Sequence, residues 1–327
     1  MSVSVQREKI SVAMAAYNGE NVIIKQLDSI LAQSMLPDEI IITDDSSTDC
    51  TWEKLSDYAR KYPMIKIYRN ENNLGFVKNF EKALSLCSGD LILLSDQDDI
   101  WTPDHIKCLV SHIGNASVAC ANAEIMREDD SLTGETMKPK SFCPPQKRSE
   151  NFKNLLFISY TQGATMLIRK NLLEKAMPFP KEVFHDIWLG FVALAAGDGI
   201  VYIPKVILHY RRCNQNVSSR TSERNDSLKE KCIFFLSDGH VFEEKFFRIK
   251  KYMHYARTHK DMIPSELKYE LKEAYIFTKN MTQKRKGWKA FKYFVKNYNL
   301  IFGTSSYIGL PLRLLRYFLS PGNWLER

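Results

Sequence analysis

The sequence lacks the segments that would place it within a membrane or outside the cell. No run of roughly 18 apolar residues is free of charge, so we expect no membrane-spanning helix. The apolar run ISVAMAAY passes directly into the polar NGE and does not have the pattern of a secretory signal. The seven cysteines are scattered and include no CxxC pair, which argues against a disulfide framework and for a reducing compartment. We therefore expect a cytoplasmic protein.

Internal repeats and low-complexity tracts are also absent, which excludes solenoid and fibrous architectures. The chain has 327 residues, of which 44% are apolar and 26% charged, and this suits one large globular domain with an appendage or two domains. Its net charge of +8 is unevenly distributed. Residues 220–327 carry 22 Lys and Arg against 11 Asp and Glu, whereas the preceding residues carry 24 against 27. The basic C-terminal part indicates an anionic partner.

The first 125 residues alternate between apolar runs and helical patterns. The runs KISVAMAAY, EIIITDD, MIKIYRN, DLILLSD and SVACANAEIM predict strands, and each is separated from the next by a helical pattern. Strand–helix alternation at this spacing is typical of βαβ units. The strands are almost continuously apolar, as expected when helices cover both faces of a sheet. The sequence therefore predicts an α/β fold with a mostly parallel sheet.

The pattern changes in the second half of the chain. Residues 126–163 are rich in proline, lysine and charge and are expected to be irregular. The run ATMLIRK predicts a further strand, FHDIWLGFVALAAG a helix, and GIVYIP and VILHYRR two final strands. From about Ser218 the pattern becomes helical and basic. We therefore predict a catalytic domain over residues 1–215 and a helical, basic region over 216–327.

Polar clusters follow three of the predicted strands. They lie at residues 17–19 (YNG), 44–47 (DDSS) and 96–99 (DQDD). Ligands of open α/β sheets bind beyond the carboxyl ends of the strands, so these clusters are expected to meet at one edge of the sheet. The alternative explanation is that loops are polar in general, but this does not account well for two aspartates at residues 44–45 and three within residues 96–99.

The cluster of Asp96, Asp98 and Asp99 is expected to attract a cation, because like charges at this spacing repel one another. A calcium EF-hand loop is excluded, since Trp101 and Lys107 occupy positions that the loop reserves for glycine and glutamate. An open site for Mg²⁺ or Mn²⁺ would leave coordination positions for substrate phosphates. The alternative is a solvated acidic cap in front of the next helix.

Five segments in order resemble those of glycosyltransferase family 2: AAYNGE, ITDDSSTDCT, NLGFVKNFEKAL, LLSDQDDIW and HDIWL. The resemblance covers about residues 8–215. It implies the nucleotide-diphospho-sugar transferase fold called GT-A, in which the sheet is Rossmann-like. The forms SDQDDIW and NLGFVKNF are most similar to rhamnosyltransferase-like and galactosyltransferase-like members that build bacterial surface polysaccharides.

The resemblance implies a role for each matching residue. Tyr17 would stack on the nucleotide base in the loop that contains Asn18, and Asp45, with Asp44 beside it, would accept a hydrogen bond from the base or ribose. Lys78 stands where many members have arginine and would meet a phosphate as a point charge. These residues, together with Asp96 and Arg211, are the expected nucleotide-binding set.

The resemblance also implies the catalytic groups. Asp96 and Asp98 match a metal-binding D-x-D motif, and Asp186 matches a late acidic residue that acts as general base. The alternative for Asp186 is a helix cap. The neighbouring His185 is interpreted as a surface histidine. The segment HYRRCNQNVS resembles a family pattern Y-R-x-H-x-x-N, in which Cys213 replaces the histidine. Arg211 or Arg212 is expected to contact the diphosphate.

The segment KNMTQKRKGWKAFKYFVKN, from Lys279, contains seven basic residues and no acid. Its apolar residues recur at helical spacing with lysines beside them, and IGLPLRLLRYFLS repeats the combination. We expect peripheral contact with an anionic membrane surface on the cytoplasmic side, and the alternative is a helix packed on the protein. Nucleic-acid binding is not expected, because no RNA- or DNA-binding module is recognisable.

Three functions remain open from the sequence. The first is a metal-dependent, inverting glycosyltransferase that moves a sugar from dTDP-rhamnose, UDP-galactose or UDP-glucose to a polyprenyl-diphosphate-linked glycan, in O-antigen or capsule biosynthesis. The second is a sugar-nucleotide pyrophosphorylase, which needs a Gly-rich, Arg-containing loop where AAYNGE stands. The third is a non-catalytic nucleotide- or glycan-binding module, against which the set of Asp96, Asp98 and Asp186 argues.

Overall fold

The computed structural model describes residues 7–212, 239–283, 285–286, 288–297 and 323–324. The chain divides into two compact units, the first comprising Met1–Cys143 and Thr161–Arg220 and the second Pro144–Tyr160 and Thr221–Arg327. The second unit thus includes a short segment from the middle of the sequence. The domain boundary at residue 215 remains a prediction.

The first unit is built on one sheet of nine strands, in the order β3-β2-β1-β4-β8-β6-β9-β5, with β7 paired to β6. The parallel part contains β1 (Ile10–Ala16), β2 (Glu39–Asp44), β3 (Ile65–Arg69) and β4 (Leu91–Ser95). Nearly every residue of β1, β2 and β4 is buried, because helices pack on the sheet.

The other strands extend the sheet beyond β4. They are β5 (Ile100–Trp101), β6 (Val118–Met126), β7 (Leu132–Thr136), β8 (Met166–Arg169) and β9 (Ile200–Arg211). β8 is antiparallel to both β4 and β6, whereas β6 and β9 are parallel. The predicted α/β fold with parallel strands at its centre is confirmed.

Helices of the first unit connect and cover these strands. They are α1 (Ile23–Leu31), α2 (Thr51–Lys61), α3 (Phe76–Leu86), α4 (His105–His112), α6 (Asn171–Ala176) and α7 (His185–Ala195). α7 is buried along almost its whole length, which is consistent with the apolar sequence IWLGFVALA that follows its first turn.

Two predictions about the second half of the chain are wrong. Residues 126–163 are not irregular throughout, because they contain β7 and the helix α5 (Arg148–Phe157). β7 is a polar strand that pairs with β6 by backbone hydrogen bonds, so its sequence carries no apolar signal. GIVYIP and VILHYRR form one strand, β9, whose pairing with β6 shifts register twice around Asn122.

The second unit is helical where it is described. It contains α5, α8 (Gly239–Thr258), α9 (Ser265–Thr282) and α10 (Trp288–Lys296), and a short pairing of β10 (Arg285–Lys286) with β11 (Asn323–Trp324). The ring of Tyr293 in α10 stacks on Phe277 in α9 at 4.9 Å. None of the helices in the described ranges is long and apolar enough to cross a bilayer.

Candidate active site

The three acidic or polar loops identified in the sequence follow adjacent parallel strands. Ala16 of β1 pairs with Asp44 of β2, and Met14 of β1 pairs with Ser95 of β4. The loops that begin at Tyr17, Asp45 and Asp96 therefore leave the sheet at the same edge, as the sequence predicted.

The loop after β1 is held by its neighbours on both sides. The side-chain amide of Gln97 accepts a hydrogen bond from the backbone nitrogen of Tyr17 at 2.8 Å and donates one to the carbonyl of Tyr17 at 2.9 Å. A β-carbon at Gly19 would lie 2.5 Å from the oxygen of the Gln97 side chain. The ring of Tyr17 is left 45% exposed, which suits a residue that stacks on a base.

Asn18 and the loop after β2 hold each other in place. Asn18 has a left-handed backbone with φ of 46°, which asparagine adopts more readily than most residues. Its backbone nitrogen donates to the hydroxyl of Ser47 at 2.9 Å, and its side-chain oxygen accepts from the nitrogen of Thr48 at 2.8 Å. Asn18 thus orders the β1 and β2 loops with respect to one another.

Asp44 and Asp45 are both buried and accept hydrogen bonds from the protein. Asp44 accepts from the hydroxyl of Ser47, and the guanidinium of Arg69 lies 3.4 Å from its carboxylate. Asp45 accepts from the backbone nitrogens of residue 74 at 2.8 Å and residue 75 at 2.9 Å, and from the Asn70 side chain at 2.7 Å. Asp45 therefore fixes the start of α3. Its contact with a nucleotide remains a prediction.

The acidic loop after β4 is electrostatically unfavourable on its own. Burial and the neighbouring charges of Asp98 and Asp186 raise the pKa of Asp96 to about 7. Burial also raises the pKa of Asp98, and burial with the charges of Asp98 and Asp96 raises that of Asp99. One oxygen of Asp99 is buried without a hydrogen-bond partner among the described residues. The loop therefore gathers carboxylates at a place where ionisation is costly.

Arg211, at the end of β9, holds the acidic loop by hydrogen bonds. Its backbone nitrogen donates to Asp99 at 2.9 Å, and its Nε donates to the carbonyl of Asp98 at 2.7 Å. Its guanidinium also forms an ion pair of 2.5 Å with Asp130 and donates to the carbonyl of Glu128 at 3.1 Å. Arg211 is almost fully buried, so it connects the acidic loop to the β6–β7 turn. Its contact with a diphosphate remains a prediction.

Asp186 lies in the first turn of α7, next to the short helical turn Gly163–Thr165. Its two oxygens accept hydrogen bonds from the backbone nitrogens of Gly163, at 3.2 Å, and Ile187, at 2.7 Å. The cap position of α7 is Phe184, so Asp186 stands inside the helix. Its charge acts on Asp96, which brings the candidate base and the candidate metal ligands into one site.

The interpretation of His185 as a surface histidine is wrong. Its side chain is only 7% exposed, and its ring stacks on Phe80 of α3 at 4.0 Å. The contact with Phe80 is not evident from the sequence, since Phe80 belongs to a helix that is distant in the chain.

Lys78 lies on α3 and forms an ion pair of 2.7 Å with Glu81. Its contact with a phosphate remains a prediction.

The acidic loop suits a hard divalent cation by its chemistry. Asp96 and Asp98 present carboxylate oxygens, the ligands that Mg²⁺ and Mn²⁺ prefer. A cation would offset the cost of ionising these buried groups, since burial raises the pKa of both and like charges add to the shift at Asp96. Within the described ranges, no three His, Cys, Asp or Glu side chains are grouped as a complete metal site. The binding of a metal ion by Asp96 and Asp98 remains a prediction.

Two parts of the predicted segments lie outside the described residues. These are the continuation of HYRRCNQNVS from Cys213 and the segment IGLPLRLLRYFLS. The residues that sequence reasoning missed are Gln97, Gln162 and Asp130. Gln97 stood within the motif SDQDDIW, whereas Asp130 lies in a turn without any recognisable pattern.

The site and the sheet agree with the comparison to known families. The model of "Glycosyl transferase family 2" matches residues 11–176, slightly more than half of the chain. The protein therefore belongs to glycosyltransferase family 2. The match includes the first four segments on which the sequence resemblance was based and ends before Asp186.

Curated relatives are similar at moderate identity. An uncharacterised glycosyltransferase of Haemophilus influenzae is 26% identical over 68% of this chain and 71% of its own length. WfgD of Escherichia coli, a UDP-Glc:α-D-GlcNAc-diphosphoundecaprenol β-1,3-glucosyltransferase, is 28% identical over 56% of this chain and 69% of its own length. An uncharacterised Mycobacterium tuberculosis protein is 29% identical, but the chain spans only 58% of its length.

Solved structures show the same fold. TarS residues 1–349 of Staphylococcus aureus, in complex with UDP-GlcNAc, match 94% of this chain and 79% of that chain with a TM-score of 0.58 and 18% identity. The mannosyltransferase PcManGT of Pyrobaculum calidifontis, in complex with GDP-Man and Mn²⁺, matches 96% and 81% with a TM-score of 0.53 and 15% identity. These likenesses confirm the GT-A fold.

Proposed function

We propose that this protein is an inverting, metal-dependent glycosyltransferase. It transfers a sugar from a nucleotide donor to a lipid-linked glycan, in the synthesis of a bacterial surface polysaccharide such as O-antigen or capsule. The donors that we expect are dTDP-rhamnose, UDP-galactose or UDP-glucose, and the acceptor is a glycan on a polyprenyl diphosphate. The named substrates of WfgD and the ligands of the TarS and PcManGT structures support this class of reaction.

The observation that carries the proposal is the convergence of Asp96, Asp98 and Asp186. At the end of β4, the carboxylate of Asp96 experiences the charge of Asp98 and that of Asp186 at the start of α7. Without a bound cation, this repulsion only lowers the stability of the folded protein. A nucleoside diphosphate and a divalent cation together supply both the positive charge and the phosphate oxygens that such a loop requires.

Asp96 and Asp98 would hold Mg²⁺ or Mn²⁺. When bound, the ion offsets the negative charge that develops on the departing nucleoside diphosphate. The role of Arg211 in this arrangement is to position the ligands, since it donates hydrogen bonds to the backbone carbonyl of Asp98 and to the side-chain carboxylate of Asp99.

Asp186 would take the proton from the acceptor hydroxyl. The backbone hydrogen bonds from Gly163 and Ile187 orient its carboxylate. The acceptor oxygen then forms a bond to the anomeric carbon while the bond to the diphosphate breaks, which inverts the configuration. A second carboxylate nucleophile is not needed, so no covalent intermediate is expected.

The nucleotide would lie across the loops after β1 and β2. The exposed ring of Tyr17 would stack on the base, and Asn18, Asp44 and Asp45 would shape the pocket for base and ribose. Lys78 would meet a phosphate after leaving Glu81.

The acceptor lipid suggests a location at the cytoplasmic face of the membrane. In α10, Ala290 and Phe294 are buried within the second unit, whereas Lys289, Lys292 and Lys296 are exposed. The apolar side of this helix is thus occupied by protein. We propose that the membrane contact is peripheral and uses the lysine side, which is attracted to anionic lipids.

The release of nucleoside diphosphate tests the proposal. Purified protein is incubated with Mn²⁺, each nucleotide sugar in turn and a polyprenyl-diphosphate-linked acceptor. We expect release of nucleoside diphosphate with one donor, and loss of the metal-dependent rate in Asp98→Asn. Release of pyrophosphate would indicate a pyrophosphorylase, and binding without turnover would indicate a binding module.

A further inference from the structure

His185 is buried next to the candidate base Asp186, with its ring between aromatic side chains of α3. Its ring stacks on Phe80 at 4.0 Å and meets the edge of Phe76 at 6.2 Å. Neither Nδ1 nor Nε2 has a hydrogen-bond partner among the described residues. An unsatisfied polar group that is removed from water costs about 1–3 kcal/mol, so such a group in a native site indicates a missing ligand.

A second buried polar group, in the segment that binds Asp186, also lacks a hydrogen-bond partner among the described residues. The side-chain nitrogen of Gln162 is buried, and no described residue accepts its hydrogen bond. Gln162 precedes Gly163, whose nitrogen binds the carboxylate of Asp186 at 3.2 Å. A β-carbon at residue 163 would lie 2.8 Å from Nε2 of His185, so glycine leaves the imidazole its space. The amide thus belongs to the residue before Gly163 and the imidazole to the residue before Asp186, so both are next in sequence to the hydrogen bond that holds the candidate base.

The position of the imidazole indicates which substrate it meets. Phe76 and Phe80 lie one turn apart on α3, and the start of this helix is fixed by Asp45 in the candidate nucleotide loop. His185 therefore packs on the first turns of the helix that begins at the candidate nucleotide loop. A group that reaches His185 from this loop would be the sugar attached to the nucleotide.

We propose that His185 and Gln162 form a subsite that recognises hydroxyl groups of the transferred sugar. The inference rests on the proposed function, since it assigns the donor sugar to this glycosyltransferase site. Both residues act by positioning the ring, and Asp186 remains the only base.

The chemistry of the imidazole favours a hydroxyl over a phosphate. Burial lowers the pKa of His185, although the charge of Asp186 acts in the opposite direction. The neutral ring has one N–H donor and one acceptor nitrogen. A hydroxyl group can satisfy both functions, whereas a phosphate accepts hydrogen bonds and prefers a cation.

The test separates sugar binding from nucleotide binding. Wild type, His185→Phe and Gln162→Met are titrated calorimetrically, in the presence of Mn²⁺, with UDP, dTDP, UDP-glucose, UDP-galactose and dTDP-rhamnose. His185→Phe keeps a ring on Phe80 but removes both nitrogens, so we expect its melting temperature to be unchanged or higher. The exposed His254 of α8 provides a matched control, His254→Phe.

We expect both variants to bind the nucleoside diphosphate within twofold of wild type. We expect the nucleotide sugar that wild type prefers to bind about tenfold more weakly or worse, because the unpaired hydroxyl groups lose their partners. The His254→Phe variant should bind both ligands as wild type does.

Three outcomes would overturn the inference. Wild-type affinity of His185→Phe and Gln162→Met for the nucleotide sugar would show that neither residue meets the sugar. An equal loss of affinity for nucleoside diphosphate and nucleotide sugar would place them at the diphosphate. If wild type binds no nucleotide at all, the proposed function fails, and this inference fails with it.

Discussion

Two buried carboxylate sites in the first unit are stabilised in opposite ways. Glu39 is 2% exposed and accepts from Lys66 at 2.8 Å, from the hydroxyl of Ser11 at 2.7 Å and from the backbone nitrogen of Ser88 at 2.6 Å. Burial would raise the pKa of Glu39, but these hydrogen bonds together lower it to about 2. At Asp96, by contrast, burial and the charges of Asp98 and Asp186 are not offset by hydrogen bonds, and the pKa is raised to about 7. Glu39 is a structural acid, whereas Asp96 lacks such compensation and is the residue that we propose as a metal ligand.

We predict that Glu39→Gln lowers the free energy of unfolding by about 2–3 kcal/mol at pH 7. The pKa of Glu39 in the folded protein lies below the ordinary glutamate value of 4.5, so the contribution of Glu39 to stability is present above pH 4.5 and is lost as the pH falls towards 2. Urea unfolding of wild type and variant should therefore converge over this range. The exposed Glu71→Gln is the control and should change stability by less than about 0.5 kcal/mol throughout. A constant difference between wild type and Glu39→Gln from pH 7 to pH 3 would contradict the assignment.

A second prediction concerns Asp186. Replacement by asparagine keeps the shape and removes the base, so we expect kcat to fall by about 10²–10⁴-fold while the donor affinity remains near that of wild type. Transfer rates and calorimetric titration with the nucleotide sugar measure the two effects separately. Near-normal transfer by Asp186→Asn would refute its role as base.

The site residues differ in how well the sequence predicted them. Tyr17, Asp44 and Asp96 lie at or just after the ends of apolar runs, so their place at the sheet edge could be anticipated. Asp186 was identified only by the resemblance to the family. The burial of His185 could not, because the aromatic ring on which it stacks belongs to a helix about 100 residues earlier in the chain.

At the level of elements, the strands of the parallel core were predictable because they are buried on both faces and therefore continuously apolar. The placement of β8 between β4 and β6 was not, because pairing between distant strands leaves no local pattern. β7 and α5 were missed because the first is polar and the second follows a Pro-rich stretch.

The connection between β2 and α3 gives a prediction at this scale. Asp45→Asn replaces an acceptor oxygen with an amide donor opposite the backbone nitrogens of residues 74 and 75. We expect a loss of about 1–3 kcal/mol of stability and faster hydrogen exchange at the start of α3. The exposed Asp57→Asn in α2 is the control and should leave the exchange unchanged. Unaltered exchange in residues 74–80 of Asp45→Asn would show that Asp45 does not hold this helix.

The molecule as a whole combines an acidic sheet edge with a basic C-terminal part. The net charge of residues 220–327 is +11, against −3 for the rest of the chain. The described helix α10 packs its apolar side on the protein and leaves three lysines exposed. Charge, rather than apolar insertion, is therefore the means by which this helix would meet a membrane.

We predict that replacing Lys289, Lys292 and Lys296 together with glutamine weakens binding to anionic vesicles by up to about 100-fold, at about 1 kcal/mol for each lysine. Sedimentation with phosphatidylglycerol-containing vesicles, at low and high salt, measures the effect. The control replaces the exposed Lys61, Lys107 and Lys181, which changes the net charge equally. Equal loss in both triple variants would indicate a non-specific charge effect and count against a membrane face on α10.

The central claim is that the aspartates at the end of β4 hold a cation on which a nucleoside diphosphate rests. A crystal soaked with Mn²⁺ and UDP or dTDP tests it most directly, because manganese is located by its anomalous scattering. We expect the manganese peak to lie between the carboxylates of Asp96 and Asp98 and the diphosphate, with the base beside Tyr17. A nucleotide bound elsewhere, with no manganese at these two carboxylates, would contradict the account.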